Sequence, residues 1–158
     1  MQLEHTQSMN DVFCRVMESL AFYFVDPIDP HTIDIQRDMA VPYRKVSMRF
    51  EGPHVGNVIL YLPQSAFSTI WANMLGVDEA DPQSQEQQND AICEILNVIC
   101  GQLLTEIWGT DPVFDLCIPD MQDIDSANLS DVLTHPSTCS FNSDDGLILL
   151  EMIVDQTS

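Results

Sequence analysis

Basic residues are scarce: five Lys and Arg stand against 25 Asp and Glu, a formal net charge of −20 over 158 residues. Binding to nucleic-acid phosphates requires clustered cations, and docking on an anionic membrane surface requires them too. Neither role fits this chain. The surplus acid favours solubility, and part of it is available for docking. Cysteines number five, an odd count with no Cys-x-x-Cys, so a disulfide framework is not expected. Cys93, Cys100 and Cys117 sit in apolar runs and read as buried thiols of a reducing compartment, which points to the cytoplasm. His5, His31, His54 and His135 are scattered without metal-ligand spacing, so no metal site is expected. The N-terminus lacks the basic start and apolar core of a signal peptide. No apolar stretch approaches the roughly 20 residues that span a bilayer, which leaves the sequon Asn128-Leu129-Ser130 incidental. No Ser or Cys occupies a nucleophile-elbow pattern.

What is present is ordinary globular material: 45% hydrophobic residues in a length that suits one domain, residues 1–158. Met9, Val12, Phe13, Val16, Leu20 and Phe24 recur at helical spacing and predict a helix over 9–24, ended by Asp26-Pro27 and Asp29-Pro30. Val46, Met48 and Phe50 alternate with Lys45, Ser47 and Arg49, the period of a half-buried strand. After the turn Glu51–His54, a second strand over 55–62 completes a hairpin. Pro63-Gln64-Ser65 opens a helix through Leu75, with Gly76 as its C-cap. Residues 78–89 form a polar connector that turns helical towards its end, and 90–108 carry the longest helical signal. A short strand is expected over 114–118, an acidic irregular segment over 119–136, and a last hairpin from 138–141 and 147–154 around Asn142–Gly146. The order predicts an α+β fold: an antiparallel or mixed sheet packed against two long helices. The apolar strands 55–62 and 147–154 invite edge pairing between copies.

At about 100° per residue, Asp90, Glu94, Asn97 and Gly101 fall within an arc of about 60°. Ile92, Ile95, Leu96, Ile99 and Leu103 occupy the opposite side. Glycine inside a helix costs about 1 kcal/mol relative to alanine, and close approach of a partner is a common reason for tolerating it. Taken alone, a Glu and an Asn on this stripe are also what any helix shows to water.

The run Asp90-Ala-Ile-Cys-Glu94-Ile-Leu-Asn97-Val-Ile-Cys-Gly101 resembles the motif helix of the CheC, CheX and FliY chemotaxis phosphatases. That motif has Asp or Ser, Glu four residues on, Asn three further, and a proline downstream, near which Pro119 sits. Phe50-Glu-Gly52 with Gly56-Asn-Val-Ile-Leu resembles the family's hairpin, and Met74-Leu75-Gly76 the end of its preceding helix. CheC-type members carry a second motif on another helix. Here the first helix offers Asp11 but then Arg15 and Glu18, so the chain resembles single-site CheX.

The resemblance implies a CheC-like fold and hydrolysis of the aspartyl phosphate of a CheY-like response regulator. In this role Asn97 orients the attacking water and Glu94 pairs with the regulator's active-site lysine. Asp90 and Gly101 would complete the partner-binding face. It implies no cofactor on this chain, Mg on the regulator, and a homodimer. The alternative is a non-catalytic binding or dimerisation domain of the same fold. Neither the regulator nor the pathway is legible in the sequence.

Overall fold

The computed structural model describes residues 2–78 and 85–156. Seven antiparallel strands form one sheet: β1 (Asp26–Pro27), β2 (Tyr43–Glu51), β3 (Gly56–Pro63), β4 (Asp115–Leu116), β5 (Asp120–Ile124), β6 (Thr138–Ser143) and β7 (Gly146–Val154). Their order is β1-β6-β7-β3-β2-β4, with β5 pairing further along β2. Among the described residues five α-helices accompany the sheet: α1 (Gln2–Ala21), α2 (Ile35–Asp38), α3 (Gln64–Leu75), α4 (Gln85–Trp108) and α5 (Ser130–Leu133). The α+β class and the helix-on-sheet layering match the reading from sequence.

The period-two pattern of the strands decides which residues meet the helices. Val46, Met48 and Phe50 of β2, Val58, Leu60 and Leu62 of β3, and Ile148, Leu150 and Met152 of β7 join the buried faces of α1, α3 and α4 in the main core. The other face is apolar at Tyr43, Ile59, Tyr61, Leu147 and Leu149, which pack with Met39, Leu129 and Leu133 in a smaller core. That explains the near-continuous apolar runs of β3 and β7: both sides are covered.

Those runs also overturn the expected edge pairing through 55–62 and 147–154. The β3 strand lies between β2 and β7, and β7 between β3 and β6, so neither has a free edge. Apolarity on both faces marks an interior strand. The sheet ends instead at β1 and β6 on one side and at β4 and β5 on the other.

The first helix begins earlier and ends earlier than its apolar period implied. Phe22 adopts φ +48, which turns the chain after Ala21, and the Tyr23 amide donates to the Met17 carbonyl at 3.0 Å. Tyr23 is thereby buried, and Phe24 is exposed rather than the last residue of the buried stripe. Gly76, at φ 66, does cap α3. Of the connector 78–89, residues 79–84 lie outside the described residues. By length and composition α4 is apolar enough to cross a membrane, contrary to the expectation from apolar runs. Its apolar side chains are spent on the sheet instead: Ile92, Ile95, Leu96, Ile99 and Leu103 are fully buried.

Candidate functional site

The unrolled helix survives folding. With the Ile95–Ile99–Leu103 side on the sheet, Asp90, Glu94 and Asn97 are exposed on the opposite side. None of the three has a side-chain hydrogen bond or ion pair among the described residues. A carboxylate and a carboxamide one turn apart are therefore uncommitted, and both are free to meet one partner. Gly101 continues the stripe, and a Cβ built on it meets nothing within 4 Å. No close packing within the chain requires the glycine.

The stripe is not flat surface. Asp90, Cys93, Glu94 and Asn97 form one wall of a hollow of about 290 Å³, and Leu116, Cys117, Ile118 and Pro119 form the other, with Met48 of β2 between them. The expected strand over 114–118 reduces to β4, which pairs Leu116 with Phe50 and Asp115 with Glu51. Beyond it the Cys117 amide still donates to the Arg49 carbonyl at 2.9 Å. Pro119 follows, without an amide to extend the ladder, and the chain resumes as β5 along β2.

The second wall is anchored at its upstream end by aromatic packing. Gly52 allows the approach: a Cβ there would sit 2.6 Å from the Val113 carbonyl oxygen and 2.9 Å from the Phe114 ring. Phe114 packs edge-on to Phe50 at 5.9 Å between centroids and lies 5.7 Å from Trp108. Trp108 in turn stacks on His54 at 4.2 Å. The end of α4 and the wall facing it are thus fixed to the same hairpin.

At the other end, Arg44 ties the start of α4 to the sheet. Its guanidinium donates to Asn89 at 2.8 Å and to Asp123 at 2.9 Å, and it lies over the Phe67 ring at 5.4 Å. With both ends of α4 held, the polar stripe is presented by a rigid element, as positioning of a reacting group requires.

Cys117 corrects the expectation of a buried thiol: it is exposed, while Cys93 is half-buried and Cys100 buried. The apolar run around Cys117 belongs to a two-residue strand at the sheet's end, where only Leu116 turns inward. Burial and the Asp90 charge raise the Cys93 thiol pKa above its ordinary value, the opposite of what activates a cysteine nucleophile. Among the described residues no group of three His, Cys, Asp or Glu comes together in a way that could hold a metal ion. The sequence marks Met48, Leu116 and Ile118 as strand residues and not as part of the site, yet all three line the hollow. Ile118 is 92% exposed beside the acid–amide pair, and only the fold places it there.

The family model for the chemotaxis phosphatase CheX matches residues 45–142, more than half of the chain. No curated protein matches the sequence. Among solved structures, the chain is similar to the chemotaxis protein CheX of Vibrio vulnificus, with a TM-score of 0.69 at 16% identity over 98% of this chain and 99% of that one. It is also similar to CheX of Desulfovibrio desulfuricans, with a TM-score of 0.68 at 16% identity over 96% and 99%. A third neighbour is the Borrelia burgdorferi CheX–CheY complex with BeF3 and Mg, with a TM-score of 0.60 at 14% identity over 99% of each chain. At these identities the structural likeness carries the fold, and the family model carries the membership. From the motif helix, the hairpin that braces it and the family match together, the chain belongs to the chemotaxis phosphatase family CheX.

Proposed function

We propose that this chain hydrolyses the aspartyl phosphate of a CheY-like response regulator, with Asn97 and Glu94 as the working pair. The observation that carries the reading is the uncommitted, exposed Glu94–Asn97 pair set in a hollow with Pro119, in a chain of a phosphatase family. The Borrelia burgdorferi neighbour was solved with CheY, BeF3 and Mg, which supports a CheY-like partner here.

An acyl phosphate is already activated, so the protein's task is to place a water in line with the leaving carboxylate. The water oxygen bonds to phosphorus, the bond from phosphorus to the aspartyl oxygen breaks, and inorganic phosphate leaves with the proton lost to solvent. The Asn97 carboxamide both donates and accepts hydrogen bonds, so it holds that water in one orientation without adding negative charge near the phosphoryl group. Glu94 pairs with the lysine beside the regulator's aspartate, and Asp90 and Gly101 complete the contact face. Mg sits on the regulator, and this chain contributes no cofactor. The setting is cytoplasmic two-component signalling.

A homodimer belongs to the same reading. Its sheet contact has to use the ends of the sheet at β1 and β6 or at β4 and β5, and light scattering measures it. The test of function is phosphate release from a panel of phosphorylated regulators of the same organism. Accelerated release from at least one is expected. Binding without release by any would replace the phosphatase with a binding module.

A further inference from the structure

The trough does not stop at Asn97. Leu116 closes the Glu94–Asn97 hollow on one side and opens onto a second hollow of about 230 Å³ on the other. Gly101, Leu104 and Thr105 of α4 form one wall of this second hollow, and Pro112, Phe114 and Leu116 form the other. Gly101 lies about 6 Å along the helix from Asn97, one turn further on.

The two hollows differ in chemistry. The first presents Asp90, Glu94 and Asn97. No charged side chain lines the second, in a chain with 25 acids. The Thr105 hydroxyl donates its proton to the Gly101 carbonyl at 3.1 Å, and Leu104, Pro112, Phe114 and Leu116 give the hollow its apolar surface, with Thr110 beside them. Gly101 keeps the mouth open, since a Cβ there would point into empty space rather than into the protein. Val113, 80% exposed, stands in the same wall segment.

We infer that the second hollow receives an aliphatic or aromatic side chain of the response regulator, and that this anchor selects the regulator. The inference rests on the phosphatase reading of the adjoining hollow. Continuity through Leu116 places both contacts under one partner surface. The change from charged to uncharged lining fixes the order of that surface: a cation opposite Glu94, and an apolar residue about two to three helical turns away, beyond Gly101. An anchor present in both the docked and reacting states contributes uniform binding, so its loss raises KM and leaves kcat in place.

The test uses Thr105→Trp, which fills the mouth from an exposed helix position, with the equally exposed Glu106→Trp as control. Each regulator of the panel is assayed in its phosphorylated form and titrated in its beryllium-fluoride, Mg-loaded form. Thr105→Trp is expected to raise KM and Kd about tenfold with kcat within about twofold, and Glu106→Trp to match the parent. Methyl-labelled Leu104 and Leu116 are expected to give intermolecular NOEs to aliphatic or aromatic protons of the regulator. If a regulator binds and reacts, yet Thr105→Trp leaves KM and Kd unchanged and the methyl groups show no such NOEs, the anchor is wrong and the phosphatase reading stands. If no regulator binds or reacts with the parent protein, both fall.

Discussion

Gly101 offers a prediction in which one methyl group separates folding from function. It lies well inside α4, its φ falls outside the left-handed region, and an added Cβ meets no atom within 4 Å. Glycine in a helix interior costs about 0.5–1 kcal/mol relative to alanine, because the unfolded chain loses more freedom. Gly101→Ala therefore stabilises the protein by about 0.5–1 kcal/mol. For a domain of this size, about 2–4 °C of Tm accompanies each kcal/mol, so the melting point rises by about 1–4 °C. The urea midpoint moves up with an unchanged slope. Gly76 is the internal control. It too has no atom within 4 Å of an added Cβ, but it sits at φ +66, where a side chain costs about 1–2 kcal/mol. Gly76→Ala therefore lowers the melting point. The same substitution has opposite signs at two open positions, decided by backbone conformation alone. A Gly101→Ala protein that melts below the parent would refute the reasoning. It would mean that folding, not a partner, requires the glycine.

Two further predictions use the core and the thiols. Ile99→Ala removes a fully buried side chain between α4 and the sheet and costs about 2–5 kcal/mol, read as a fall in urea midpoint. In native protein, N-ethylmaleimide labels exposed Cys117 first. Cys100 and Cys139, whose thiols burial pushes up to about 12 and about 11, are labelled only after unfolding. Because Cys117 lines the Glu94 hollow, labelling slows phosphate release from the regulator, and Cys117→Ser removes that sensitivity; mass spectrometry and the release assay check both.

The α4 stripe was legible because helical period and burial depend only on local spacing and on the greasy face that the sheet covers. Asp90, Glu94 and Asn97 sit where arithmetic on the sequence puts them. The hairpin of β2 and β3 was legible for the same reason. Three features were not. Phe24 fits the period of α1, but the left-handed Phe22 stops the helix first, and nothing in the side chain of Phe22 announces that conformation. The residues 119–136 are too polar to show a period, yet Met121 and Ile124 pair along β2 because Tyr43–Ser47 offers a free ladder. Cys117 and Ile118 lie in an apolar run that local pattern reads as buried. They are exposed because the strand ends at Leu116, a fact of tertiary pairing. The opposite wall of the site was therefore invisible in the sequence, apart from Pro119, which entered through the family resemblance.

The central claim is that Asn97 acts on the water and Glu94 on the partner, and the direct measurement is regulator dephosphorylation by single-site variants with a binding titration beside it. Asn97→Ala is expected to lower kcat by about 100-fold or more, with the Kd for the beryllium-fluoride-loaded regulator nearly unchanged, because positioning of the water matters in the transition state. Glu94→Ala is expected to raise that Kd as well, because it removes a charged contact already present in the complex. An Asn97→Ala protein that dephosphorylates its regulator as fast as the parent would contradict the account.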